Sequence, residues 1–597
     1  MAARAIAIRP SSPQSLPQKE DQSMADIVIR NGTVIDGSGG APFEADIAIE
    51  NGRIAAIGRI AARGTEEIDA RGQIVTPGFI DPHSHYDAQA TWSSRITPSS
   101  WHGVTTTLIG NCGVGFAPCR PDQRQMLVRL MEGVEDIPEP VLTEGLKWNW
   151  QSFPDYLDAL DARPYDLDIA TQVPHAAVRV FAMGQRGLDR EPATDADSAA
   201  MARIAAEGIR AGALGFSTSR TINHKTKAGE HIPTLDAEEA ELTAIARALR
   251  GIDAGWLQVI SDFDDAEPEF AMLRRLTEAA GRPMAITILQ RDSKPEEWRR
   301  ITGWIAEANA AGVKMLGQVL TRATGILLGL EISQNPFLGR PSFAAVADLP
   351  FERKIAALRD PSLRARLLAE EGPDPVLERR VSRWDRIFPL TDSPDYEPAP
   401  ENSIAARAVR EDRDPADLAY DLLLEDNGRA LFYRPLSNYS YGNLDTVHDM
   451  LAHDATIVGL GDGGAHVGIL CDSSAISTML THWTRDRSRG AKFGLPWAVK
   501  RITRDSAQAI GLLDRGLLAA GYKADLNVID YDRLRLRKPE VVYDLPSGGR
   551  RLIQRADGYT ATIVAGQVTY RDGTPTDALP GRLLRGAQSA PAAMAAE

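Results

Sequence analysis

Between residues 78 and 510 the chain repeats one phrase, a short apolar run followed by a helical pattern, and this repetition leaves few folds open. The runs fall at residues 74–80, 105–110, 167–173, 213–218, 256–260, 283–288, 314–320 and 455–461. Eight β/α steps predict an α/β fold, a (β/α)8 TIM-like barrel spanning 78–510, with its working residues on loops at the strand ends. The rhythm breaks once, over about 331–430, where the chain is charged, helical in pattern and jointed by prolines. So long a break between two barrel strands reads either as an insertion over the strand ends or as a peripheral helical decoration.

Outside the barrel the pattern turns to short strands and glycine turns. Asn31-Gly32 and Asn51-Gly52 each sit between apolar runs, which is a strong local hairpin signal. Residues 524–530 and 559–568 are strand-like as well. An open strand edge needs a partner, so 25–77 and 511–590 are expected to combine into a small flanking β-sandwich built from both chain ends. Residues 1–24 hold Ser, Pro and Gln but no long apolar stretch, and read as a disordered leader.

At 597 residues, 43% apolar and 25% charged, the chain has the make-up of a globular protein with a large core. A net charge of −14 argues against nucleic acid or an anionic membrane as partner. No run approaches the roughly 18 apolar residues of a membrane span. Three cysteines, Cys112, Cys119 and Cys471, are too few for a disulfide framework and fit a reducing, cytoplasmic location. A small molecule is the expected partner, and a homo-oligomer is left open.

The chemistry concentrates at strand ends. The first run leads into His83-Ser84-His85, and residues i and i+2 of a strand point the same way. Two imidazoles aimed at one point suit a metal. Gly110-Asn111-Cys112-Gly113 follows the second run; its thiol is either a zinc ligand or a buried inert side chain. Gly461-Asp462-Gly463-Gly464 follows the last run. Its aspartate is either a turn residue or a group that ligates a metal and takes a proton from activated water.

These phrases together resemble the amidohydrolase superfamily, specifically its D-aminoacylase (N-acyl-D-amino-acid deacylase) branch. The resemblance rests on Pro77-Gly78-Phe79-Ile80-Asp81-Pro82-His83-Ser84-His85-Tyr86-Asp87, on Gly110-Asn111-Cys112-Gly113, on Met131-Glu132-Gly133-Val134-Glu135-Asp136-Ile137-Pro138 and on Gly212-Ala213-Leu214-Gly215-Phe216-Ser217-Thr218-Ser219. It runs over about 25–590 and is weakest over 256–450. It implies metal-dependent amide hydrolysis, with His83 and His85 as metal ligands, Cys112 as the site's cysteine and Asp462 as the catalytic aspartate. The chain departs from the family where two further histidine ligands are expected, at Gln258 or a neighbour and at Ile288; no histidine lies between His231 and His448. The family's substrate-binding lysine falls at Gln290, and its arginine is lost in His466-Val467-Gly468.

The expectation is therefore one Zn2+ rather than two, held by His83, His85, Asp462 and Cys112, with Asp462 as general base and acid on a non-peptide C–N amide bond such as that of an N-acyl amino acid. A cyclic amide or lactone hydrolase on the same barrel, and a degenerate binding protein, are the rival readings. His175, His224, His231, Arg322 and His466 are candidate substrate-binding residues. Each has a plain alternative: loop histidines facing solvent for His224 and His231, a structural histidine for His175, a surface ion pair for Arg322 and support of the ligands for His466.

Overall fold

The computed structural model describes residues 24–252 and 254–592, so the predicted leader lies outside the described residues except for Met24. Eight parallel strands, Phe79–Asp81, Val104–Ile109, Asp168–Pro174, Gly215–Arg220, Trp256–Ser261, Met284–Thr287, Met315–Val319 and Thr456–Val458, pair in chain order. The first and eighth share no ladder. They are closed at their C-terminal ends, where Asp462 N–H donates to the His83 carbonyl at 3.1 Å and His85 N–H donates to the Gly463 carbonyl at 2.8 Å. The sheet is thus an α/β barrel. Inside it Ile80, Leu108, Ala170, Leu214, Trp256, Ala285 and Ile457 form one buried layer, backed by Ile510, Leu512 and Leu584 from the tail.

The outer helices form for local reasons. In Asp195–Ala211, Thr194 caps the first turn by accepting from Asp197 N–H, and the Asp197 carboxylate returns the bond to Thr194 N–H. A capping pair of this kind stabilises a helix by about 1 kcal/mol. Met201, Ala202, Ala205 and Ile209 give the helix one buried stripe. Gly212, at φ 123°, ends it.

Both chain ends build one nine-stranded mixed sheet, which folds over a core of Ile27, Ile29, Ile47, Val75, Leu526, Val528 and Ile563. Asn51 and Gly52 both have positive φ and turn the hairpin of Phe43–Glu50 with Arg53–Gly58. Asn31-Gly32 does not turn a hairpin. Ala25–Val34 is one continuous strand with a bulge there. The hairpin turn needs two residues at positive φ, and of this pair only Asn31 has it, at 57°.

The break in the barrel runs from the end of the seventh strand at Val319 to Thr456, wider than 331–430. It is mixed rather than helical alone, because it holds a three-stranded sheet of Thr324–Leu328, Phe388–Pro389 and Phe432–Ser437. In sequence the first of these follows the seventh barrel run so closely that the two merge. The insertion has its own core, including Ile326, Leu328, Phe343, Leu367, Leu418 and Phe432, and takes in Ile469 and Leu470 from the loop after Asp462. Among the described residues no helix is long and apolar enough to cross a membrane.

The tail is fastened to the barrel by Asp168, fully buried at the start of the third strand. Its carboxylate accepts from Arg515 at 2.6 Å, Lys523 at 2.7 Å and Arg582 N–H at 3.0 Å. Burial pushes its pKa up, but Lys523 and Arg515 outweigh that and hold it at about 2. A depressed carboxylate stabilises the fold above its unfolded pKa, and the stabilisation fades as pH falls through the folded value. Asp168→Asn should cost about 3–5 kcal/mol near neutral pH, since it leaves two buried cations short of a partner. Denaturation of wild type and variant should show that gap shrinking as pH drops below about 4; a gap unchanged at low pH would count against the assignment.

Candidate active site

His83 and His85 leave the end of the first barrel strand on the same side, with ring centroids 5.4 Å apart. Their Nε2 atoms lie 3.5 and 3.7 Å from one atom, Asp462 Oδ1. Cys112 Sγ is 3.3 Å from His83 Nε2. The three ligand atoms offered by His83, His85 and Cys112 lie within 4.8 Å of one another. The far nitrogen of His83 is hydrogen-bonded, Nδ1 meeting Gln318 Oε1 at 2.9 Å, while His85 Nδ1 stands 3.3 Å from Glu135 Oε1 without a hydrogen bond. The His83 ring is therefore oriented by a partner behind it, the His85 ring has a carboxylate close behind it, and both turn Nε2 to the common point.

Cys112 is placed by a short turn, Asn111–Gly113, in which it takes φ 53°. Its N–H donates to Gln258 Oε1 at 2.8 Å, and Gly113 N–H donates to Ser217 Oγ at 2.9 Å. Gln258 thus holds the thiol turn from the fifth strand. Ile288 is fully buried beyond the sixth strand and offers no donor. Asp462 also has a left-handed backbone, φ 42°. Glycine at 461 is required by close approach, because a Cβ there would lie 2.3 Å from Asp81 Oδ2.

The electrostatics call for a cation. Burial pushes the Asp462 and Glu135 carboxyls well above the usual range. Burial also brings His83 down to about 4 and His85 well below its ordinary value, so neither imidazole is charged near neutrality. Asp462 Oδ1 has no hydrogen-bond partner. Buried oxygens without partners are rare and need a reason. Two imidazoles, a thiol and a carboxylate are a zinc donor set, and the residues present fit one such ion.

Two other predicted residues flank the cluster. His466 Nε2 is 3.8 Å from Glu135 Oε2. The His224 ring meets Ser219 Oγ at 2.9 Å, and burial, with His466 and His83 nearby, disfavours its charged form. The remaining three are not brought there. Both ring nitrogens of His175 are used, by Thr218 Oγ1 and Glu241 Oε1, each at 2.9 Å, and Arg179 braces the same carboxylate; His175 is structural. Arg322 is buried on Asp472, Ser474 and the Cys471 carbonyl, under the Tyr396 ring, so it is neither a substrate group nor a surface ion pair. His231 pairs its backbone with Lys225 in a loop hairpin, and no described contact joins its ring to the cluster. Gln290 is spent on Asn438, Ser440 and Thr446.

Glu135 is the buried carboxyl beside the cluster that local sequence reasoning passes over. Its partners lie far along the chain, at His85 and His466, and no spacing rule joins them. Its place in the phrase 131–138 was the one available signal.

A barrel whose strand ends converge two imidazoles, a thiol and a carboxylate is the architecture of a metal-dependent hydrolase. Residues 66–570 match the amidohydrolase family, and the chain belongs to that family. Residues 4–77 also match the N-terminal domain of the urease alpha-subunit. D-aminoacylase of Alcaligenes xylosoxydans xylosoxydans is 27% identical over 95% of this chain and 99% of its own. N-acyl-D-glutamate deacylase of the same organism is 27% identical over 94% and 97%. The crystal structure of a D-aminoacylase matches the fold with a TM-score of 0.62 at 22% identity, covering 94% of this chain and 100% of that one. N-acyl-D-glutamate deacylase from Bordetella bronchiseptica, complexed with zinc and a phosphonate inhibitor, matches equally at 0.62 and 23% identity, with the same coverage. Within the family this chain is a divergent member of the D-aminoacylase branch and an amide-hydrolysing enzyme.

If Glu135 orients His85, Glu135→Gln should weaken zinc binding about 10- to 100-fold. Competition with a zinc-responsive dye measures this, and affinity equal to wild type would remove Glu135 from the role.

Proposed function

We propose that the protein is a one-metal deacylase that hydrolyses the amide of an N-acyl amino acid or a closely related small amide. The observation that carries this reading is the unpartnered Asp462 Oδ1, facing both Nε2 atoms of the His83 and His85 pair. His83, His85, Asp462 and Cys112 would hold the ion. Zinc bound there supplies Lewis acidity and lowers the pKa of water towards about 7. A second ion has little to bind it, since Gln258 is spent on the Cys112 turn and Ile288 is apolar.

Asp462 takes the proton of the attacking water and returns it to the leaving nitrogen. Its backbone tie to His83 fixes where that proton moves. His224 and His466 are kept neutral by burial, at about 3 and 4. As neutral imidazoles they can donate a hydrogen bond to the developing oxyanion. With all three cysteines buried and unpaired, we place the enzyme in the reducing cytoplasm.

Metal analysis of the purified chain should find one zinc per chain. Chelation should abolish turnover and added zinc restore it. Asp462→Asn should lower kcat about 10²- to 10⁴-fold with the metal retained; near-normal kcat would end its role as base. A panel of N-acyl-D- and N-acyl-L-amino acids set against aryl amides tests the substrate class, and a zinc-loaded enzyme that cleaves none of them would overturn the proposal.

A further inference from the structure

A cavity of about 580 Å³ lies where the flanking sheet and the tail meet the start of the third barrel strand. It is at the opposite end of the barrel from His83, His85 and Asp462, which follow strand C-termini. Two tight turns, Asn51-Gly52 and Ala565-Gly566, contribute to its lining. Their backbones touch: a Cβ on Gly566 would lie 2.9 Å from Gly52 Cα, and one on Gly52 would lie 3.0 Å from the Ala565 carbonyl oxygen. Both glycines hold positive φ, at 74° and 75°, so here the wall is backbone and no side chain fills the space.

Buried Asp168 gathers the cations. Lys523 reaches its carboxylate through Nζ at 2.7 Å and pairs its own backbone with Arg53 of the hairpin. Arg582 reaches the same carboxylate through its backbone N–H at 3.0 Å, which leaves its guanidinium free to point elsewhere. Arg53, Lys523 and Arg582 therefore line one opening, although they come from the start, the tail and the far end of the chain.

The charges on this lining are unequally spent. Each carboxylate has a partner: Asp168 has the tail, Asp514 is forked by Arg515 at 2.8 and 3.1 Å, and Asp26 accepts from Asn51 N–H at 2.7 Å. Lys523 is held between Asp168 and Asp525, at 2.7 and 2.9 Å. The two arginines are not neutralised. Arg53 gives Nη1 to the Gly521 carbonyl at 2.8 Å and meets no carboxylate among the described residues. The Arg582 side chain makes no hydrogen bond or ion pair among them. The side-chain amides of Asn51 and Gln567, on the same lining, also make none. All four residues are exposed, so a dissolved ion can reach them.

We propose that this cavity is a second, non-catalytic site, which binds a small organic anion, a carboxylate or a phosphate, through Arg53 and Arg582. Each guanidinium presents a fixed fork of donors that matches such an oxyanion, and the amides of Asn51 and Gln567 supply further N–H groups. The volume is that of a small-molecule site, and boundaries between domains are where such sites collect. The carboxylates on the lining and the net charge of −14 turn away a large polyanion such as nucleic acid. An anion held here bridges the flanking sheet and the tail, so binding stabilises the folded chain by mass action.

The test is titration calorimetry and thermal unfolding of the full chain, with and without zinc, at constant ionic strength in chloride. The probes are inorganic phosphate, citrate and succinate, with succinamide as the uncharged control. At least one of the anions should bind one per chain with a Kd of about 1 mM or tighter, equally in both metal states, and raise the unfolding temperature; succinamide should not. Phosphate alone, or citrate and succinate alone, identifies which oxyanion the site takes. Arg53→Met and Arg582→Met should each weaken that binding at least about tenfold, while Arg582→Lys keeps part of it, since the charge remains and the fork is lost. Without ligand, Arg582→Met should unfold with the wild type, because its hold on Asp168 is through the backbone. If it unfolds earlier, Arg53→Met still decides. Unchanged affinity in Arg53→Met overturns the proposal, as does a wild type that binds none of the anions above the chloride background. Binding that requires zinc belongs to the strand-end cluster and overturns it too, and so does succinamide binding as tightly as succinate.

Discussion

Two backbone hydrogen bonds do the work on which the rest of the molecule depends. Asp462 N–H to the His83 carbonyl and His85 N–H to the Gly463 carbonyl join the first barrel strand to the eighth. They close the barrel, and they also set the carboxylate against the two imidazoles. Closure and site assembly are therefore one event. The backbone bears strain for it: Leu460, Asp462 and His466 all take positive φ, at 61°, 42° and 48°, which non-glycine residues adopt at a cost. The glycines between them allow the approach; a Cβ on Gly463 would meet Tyr86 Oη at 2.4 Å.

Glutamine carries much of the surrounding order. Gln318 steadies His83, Gln258 steadies the Cys112 turn, and Gln290 fastens the sixth strand's end to the returning insertion. All three amides are neutral. They set geometry without competing for a cation or adding charge to an already acidic interior. The half of the site that the family resemblance expects to ligate has become a half that positions.

Much of this was open to reading from the residues. The eight apolar runs place the barrel strands because each strand is buried on both faces and its hydrophobic run is short and continuous. His83, His85, Cys112 and Asp462 were visible because each sits directly beyond such a run. Contacts made across the chain left no such mark. Arg322 and His175 look alike in sequence to ligands at strand ends, and only the carboxylates of Asp472 and Glu241, far along the chain, reveal them as internal struts. Asn31-Gly32 reads as a turn because its dipeptide is right, while the dihedrals that distinguish a turn from a bulge depend on the neighbouring strands.

The insertion's core encloses Ile469 and Leu470, seven and eight residues beyond Asp462. The order of that loop is thus thermodynamically linked to the folding of the insertion. Anything that binds and steadies the insertion steadies the aspartate's loop by the same free energy, and a fully set Asp462 favours the folded insertion in return. The insertion's packing and the shape of the loop that carries Asp462 therefore share one conformational equilibrium, so a core substitution far from the barrel reaches the strand-end cluster through that loop.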